Sequence, residues 1–99
     1  MPTYETVFAV PANFGEEERE KSVKEAEKIV SSNGGKIALS EEMGEREMAY
    51  KVKGHSRAYY HLLVFDAPAE SFQAISDYYR FSDNYIRSLT VKKEQDKEE

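Results

Sequence analysis

Four runs of strand-forming residues and two of helix-forming residues follow one another in the order β-α-β-β-α-β, and no other feature of this 99-residue chain restricts its fold as much. Residues 4–10 (Tyr-Glu-Thr-Val-Phe-Ala-Val) are rich in β-formers with partial alternation. The segment from Pro11 to Gly15 punctuates that run. Residues 16–32 read as a helix. Glu16, Glu17 and Glu18 fill its first turn, where they complement the dipole, and Val23, Ala26, Ile29 and Val30 form a narrow apolar stripe at three- and four-residue spacing. Asn33-Gly34-Gly35 ends the helix, with a glycine able to adopt the left-handed cap conformation.

Residues 36–53 form a long second strand. Ile37 and Leu39 alternate on odd positions, whereas Met48, Tyr50 and Val52 alternate on even ones. One face cannot hold both sets without a phase change, and Gly44 between them predicts a bulge or sharp bend. Gly54-His55-Ser56 supplies the next turn. Residues 58–66 are nearly continuous in apolar residues, as a central strand should be. Ala67-Pro68 breaks this strand. Residues 71–81 form a second helix with Phe72, Ile75 and Tyr79 on one face. Ser82-Asp83-Asn84 is a turn, and residues 85–91 are a final strand whose alternation does not say which set faces inward. The stretch after Val91 lacks apolar residues, so 94–99 is expected to be an acidic flexible tail on a single domain spanning 1–93.

Right-handed crossovers and adjacent hairpin pairing leave few topologies for this order. The favoured one is the ferredoxin-like split βαβ, an α+β fold in which a four-stranded antiparallel sheet carries two helices on one face. The other face is then bare. Antiparallel sheets of that kind, carrying aromatic and basic residues, are the surface with which RNA-recognition folds stack bases and contact phosphate. Tyr50, Tyr59 and His61 are strand residues able to supply it, with Arg46, Lys51 and Arg57 close in sequence. The plainer reading is that these tyrosines are half-buried strand residues, since sheets favour Tyr in any case.

Charge is segregated. The formal net charge is −5, yet residues 36–93 carry nine Lys/Arg against eight Asp/Glu. The acidity sits in the first helix and the tail. Between positions 46 and 57, Arg46, Lys51, Lys53 and Arg57 oppose only Glu47, and Arg87, Lys92 and Lys93 cluster near the end. Local potential rather than net charge governs docking to phosphate. A solvated mixed-charge surface explains the same residues without any partner.

The chain has no cysteine, hence no disulfide framework and no thiolate chemistry. No run of about 18 apolar residues is present, and the first residues show no secretory pattern, so a cytoplasmic protein is expected. His55 and His61 are the only imidazoles, and six residues along a hairpin do not bring them to a common metal with a carboxylate. Gly34-Gly35 lacks the spacing of a phosphate cradle, and no Gly-x-Ser-x-Gly elbow occurs. An acyl-phosphate hydrolase on this fold would need an Arg in the loop after the first strand, and residues 11–15 contain none. No catalytic residue, cofactor, metal, small-molecule substrate or membrane association is expected.

Gly44-Glu45-Arg46-Glu47-Met48-Ala49-Tyr50-Lys51-Val52-Lys53 resembles the signature of the bacterial small-subunit ribosomal protein family "S six", roughly Gly-x-basic-polar-Leu-small-Tyr-x-aliphatic-polar. Tyr4-Glu5 at the first strand, Asn33-Gly34-Gly35-Lys36-Ile37, and Asp83 with Arg87 around the last strand are similar to the family too. The resemblance runs from about residue 3 to 93. It implies a structural component of the small ribosomal subunit that binds the central domain of small-subunit rRNA together with the ribosomal protein "S eighteen". Under that reading Arg46, Lys51, Arg57, Arg87, Lys92 and Lys93 contact phosphates and sugars, Tyr4, Tyr50 and Tyr59 pack on ribose or base surfaces, and an edge strand or the hairpin meets the partner protein. The chain departs from the family at Met48, which replaces Leu; at Pro2, Thr3 and Ser82, where basic residues are frequent; and at Ala58, which replaces a frequent Gly. Fewer cations imply weaker, less salt-sensitive RNA binding. The alternative is a ferredoxin-like regulatory or ligand-binding module that homodimerises through its open sheet face. It requires that face to be apolar, whereas the residues above suggest a polar and aromatic one.

Overall fold

A computed structural model describes residues 1–83 and 85–93; the expected acidic tail lies outside the described residues. The elements are β1 (Thr3–Pro11), α1 (Glu16–Ser32), β2 (Lys36–Val52), β3 (His55–Asp66), a 3₁₀ turn (Ala69–Ser71) leading into α2 (Phe72–Phe81), and β4 (Arg87–Lys92). The sheet order is β2-β3-β1-β4 and every neighbouring pair is antiparallel. The two central strands, β3 and β1, are therefore not consecutive in sequence. Each helix carries the chain over the strand lying between the two it connects, which is the ferredoxin-like arrangement.

Local chemistry starts and stops the elements. The Glu18 carboxylate accepts a hydrogen bond from the Gly15 N–H at 3.0 Å, closing the first turn of α1. At its other end Gly34 takes φ +83°, and the Gly34 and Gly35 N–H groups return to the Ser31 and Val30 carbonyls. The β2–β3 hairpin turns at Lys53-Gly54, both with positive φ (52° and 82°), between the paired Val52 and His55. Such a two-residue turn matches the twist of its strands. The turn thus lies one residue before the predicted Gly54-His55-Ser56, and β3 begins at His55 rather than Ala58. Residues 55–57 are polar and read as loop in sequence, but the tight turn keeps them in the ladder.

The phase change predicted in β2 is present. The ladder shifts between Glu42 and Gly44, where Gly44 has φ +92°. A second shift was not anticipated. Ile37 pairs with Phe65 and Leu39 with the next residue back, Val64, so Ala38 is bulged. Ile37 consequently packs on the core while Leu39 is exposed, although the odd spacing had put them on one face.

The core lies between the helices and one sheet face. Tyr4, Phe8 and Val10 of β1 and Leu63 and Phe65 of β3 meet Ala26 and Val30 of α1 and Ile75 and Tyr79 of α2. Each large apolar side chain among them contributes about 1.5–3 kcal/mol by leaving water. Two hydroxyls fasten α1 down: Tyr79 Oη donates to the Ala26 carbonyl at 2.7 Å, and Tyr85 Oη to the Ser22 carbonyl at 2.8 Å. Burial, reinforced by the neighbouring Tyr78, pushes both hydroxyls far above the usual tyrosine range.

Candidate nucleic-acid and protein interface

Alternation along the central strands assigns each side chain to a face. On β3, Leu63 and Phe65 point to the helices, and Tyr59 and His61 share their parity. Tyr59 lies under the Arg19 guanidinium, 3.9 Å from its ring centroid, and His61 stacks on Phe8. Neither ring faces the open side as the sequence suggested. Tyr60 does, packed with Ala9, Met48, Val52, Ala58 and Ile86 in a small cluster. The signal was present in the sequence: once Leu63 and Phe65 are taken as core, Tyr60 must point away from it.

β4 resolves its ambiguous alternation in an unexpected sense. Thr90 is opposite Thr6, and their hydroxyls are 2.9 Å apart on the helix side, with Ser88 on the same side. The apolar set points outward: Leu89 is 66% exposed and Val91 42%. Leu89 is opposite Val7, which in turn is opposite Leu62. In the next row Val91 and Leu39, the latter 45% exposed on β2, flank Glu5 and Val64, so an apolar band runs over the open face from β4 to β2, interrupted by Glu5 in that row and by Glu41 opposite Leu62. The polar, aromatic face expected from the sequence is thus only part of it: Glu5, Glu41, Arg46, Arg87 and Tyr60 share the face with this apolar set. Exposed apolar surface of this kind marks an interaction site more often than an inert one.

Arg46 and Arg87 flank the Tyr60 cluster. Arg46 is opposite Ala58 and Arg87 opposite Ala9, both alanines belonging to that cluster. They stand on the two edge strands, three strand spacings or about 14 Å apart across the sheet and offset by two residues along it. Both are exposed, and neither makes an ion pair with a described residue. Among the described residues Arg46 donates a long hydrogen bond to the Met43 carbonyl at 3.4 Å.

The remaining predicted contacts do not join them on one surface. Tyr4 is 4% exposed and enclosed by Phe65 and Phe72, so its ring offers no face to a base or ribose; the apolar partners of β1 claimed it for the core. Arg57 shares the parity of Tyr59 and lies on the helix side, bound to Glu45 at 2.7 Å. That guanidinium holds the Glu45 carboxyl below its usual range. Lys92 is opposite the buried Tyr4 and so also faces the helix side, whereas Lys93 stands near Glu5, its ammonium 3.9 Å from the carboxylate. Tyr50 and Lys51 are exposed on the distal hairpin, where the ladder is irregular between Glu47 and Val52. Sequence reasoning missed Tyr60, Val7, Leu62, Leu89 and Val91. Among the described residues no cluster of three or more His, Asp or Glu is arranged to hold a metal ion, and no helix is long and apolar enough to cross a membrane.

The profile of the family described as Ribosomal protein S6 matches residues 3–92, which is almost the whole folded domain. The chain belongs to this family. Similar relatives include the small ribosomal subunit protein bS6 of a Nitratiruptor species, 31% identical over 98 residues, spanning 99% of this chain and 77% of that protein. The bS6 of Campylobacter hominis is 34% identical over 98 residues, 99% of this chain and 68% of its own. The crystal structure of 30S ribosomal protein S6 from Thermotoga maritima superposes with a TM-score of 0.86 at 32% identity, covering 93% of this chain and 87% of that one. S6-family membership makes this a structural ribosomal protein of the small subunit rather than an enzyme. The signature that carried the resemblance, residues 44–53, maps to the phase change of β2 and the outer half of the hairpin.

Proposed function

We propose that this protein binds the central domain of small-subunit rRNA together with the ribosomal protein "S eighteen". The observation that carries the reading is the inverted pattern of β4. Hydroxyls occupy its inward positions, while Leu89 and Val91 face out beside Val7 and Leu62, with Arg46 and Arg87 on the flanking edge strands. An apolar band of this kind suits a protein partner, and unpaired guanidiniums at its rim suit phosphate. Arg46 and Arg87 are the principal RNA contacts, with Tyr50 and Lys51 on the hairpin and Lys93 at the opposite end of the face in supporting roles. Arg57, Tyr59 and Lys92 face the other way and contribute less. Filter binding to the rRNA fragment with and without the partner tests this. Arg46→Ala and Arg87→Ala should each weaken the ternary complex by about 1 kcal/mol or more and flatten its salt dependence. Failure to form a ternary complex at low salt rejects the reading.

The apolar character of the same face also favours self-association through it. Light scattering at micromolar concentration separates the two readings: a stable homodimer that excludes the partner supports the second.

A further inference from the structure

A groove of about 300 Å³ opens on the side of the molecule away from the apolar band, between α1 and the β2–β3 hairpin. Val23 of α1 and the half-buried Tyr59 and His61 of the hairpin give it accessible apolar surface, with the buried Phe8 and Val10 beneath them. Four carboxylates line it as well: Glu16, Glu20 and Glu27 from α1 and Glu42 from β2. None of these four makes an ion pair with a described residue. Of the two cations in the lining, Arg19 is already engaged, stacked over Tyr59 and donating to the Phe14 carbonyl at 3.2 Å. That leaves Lys24 against four negative charges.

The most constrained point is His61. Glu42 is opposite it in the ladder, and the charges of Glu27, Glu42 and Glu41 all act on its ring. Ser40 Oγ lies 2.8 Å from Nε2 and Phe8 stacks on its face, so the imidazole is held in place beneath the carboxylates. Glu27 from α1 and Glu42 from β2 thus line the groove on its two sides, Glu42 directly opposite His61 in the ladder. β2 is an edge strand, so the groove is bordered by a backbone edge along which an extended chain can lie.

We propose that this groove docks a basic, apolar-anchored peptide segment of a protein neighbour, with an ammonium or guanidinium between Glu27 and Glu42 and an aliphatic or aromatic residue against the half-buried Val23 and Tyr59. The charge excludes RNA phosphate from this side. It also disfavours a second copy of this chain, whose net charge is −5. The inference concerns a different surface from the apolar band and stands or falls separately from the rRNA reading.

The test is a nuclear magnetic resonance titration of the full chain with two synthetic peptides, acetyl-Lys-Leu-Lys-Phe-Lys-amide and acetyl-Glu-Leu-Glu-Phe-Glu-amide. The basic peptide should give saturable shifts at the Val23, Glu27, Glu42 and His61 amides, leaving Leu89 and Val91 unmoved, and the acidic one none. The double variant Glu27→Gln/Glu42→Gln should raise Kd at least tenfold while its unbound spectrum stays dispersed. A third peptide with Gly in place of Leu and Phe should bind at least fivefold more weakly, because it loses the apolar contact with Val23 and Tyr59. Absence of saturation, shifts centred on the open face, equal binding of the acidic peptide, or an unchanged Kd in the double variant would each overturn the proposal. Displacement of the basic peptide by an rRNA fragment lacking any contact to Arg46 and Arg87 would overturn it in favour of nucleic acid.

Discussion

The two faces of one sheet divide the molecule into a sealed side and an open side, and they differ less in composition than in what covers them. On the sealed side Tyr4, Phe8, Leu63 and Phe65 disappear under two helices, and the Tyr79 and Tyr85 hydroxyls find backbone carbonyls. On the open side Val7, Leu62, Leu89 and Val91 are of comparable hydrophobicity, yet among the described residues no helix lies over them. The hydrophobic effect rewards burial of either set equally per unit area. Stability therefore comes from the first set, and the proposed association draws on the second, which is still exposed to water.

Truncating residues on both sides gives the widest contrast. Phe8→Ala should cost about 3–5 kcal/mol in urea unfolding, since Phe8 is 1% exposed and contacts three other rings. Leu89→Ala should change stability by less than about 0.5 kcal/mol. Equal losses from the two would erase the distinction between the faces. The order should reverse in the proposed partner binding: replacing Leu89 and Val91 by Ser should weaken the proposed complex with "S eighteen" by about tenfold or more, by removing the apolar surface that this partner would cover.

The hydroxyl clamps give a smaller effect with a definite pH dependence. Tyr85→Phe should cost about 1 kcal/mol by thermal unfolding at neutral pH. Burial raises the folded-state pKa of Tyr79 and Tyr85 above the ordinary 10.0. The unfolded chain thus loses its protons first as pH rises. The stabilisation is fully present below about pH 10 and declines above it. Alkaline unfolding of the parent should be steeper than that of Tyr79→Phe/Tyr85→Phe, which has neither hydroxyl to ionise.

The smallest effect concerns His61. Desolvation lowers its pKa below 6.5, and Glu27, Glu42 and Glu41 act in the opposite direction. The unfolded chain therefore binds a proton first as pH falls, and stability should decrease modestly from about pH 6.5 downward to the folded-state value. Glu27→Gln should lower the His61 pKa further in an NMR titration, because it removes a charge that favours the imidazolium.

Much of the fold was legible because its signals are local. The stripe Val23, Ala26, Ile29, Val30, the cap at Gly34 and the phase conflict around Gly44 each involve residues near one another in sequence. The family resemblance of residues 44–53 rests on local sequence in the same way. The candidate site was less legible. Arg46 and Arg87 were recognised as cations, but that they rim one face follows from the order β2-β3-β1-β4, which joins strands distant in sequence. Tyr4 and Tyr59 were misassigned because an aromatic strand residue suits either side of a sheet, and Leu39 because a bulge at Ala38 reverses the parity.

By itself the amino-acid sequence determined the number, order and kind of the elements, since short-range periodicity, capping and turn chemistry act within a few residues. The tertiary structure alone decided which half of each strand is covered. Strand alternation defines two faces without ranking them. The choice is made only when the crossing helices settle on one, leaving Thr6 and Thr90 inside and Leu89 and Val91 in water.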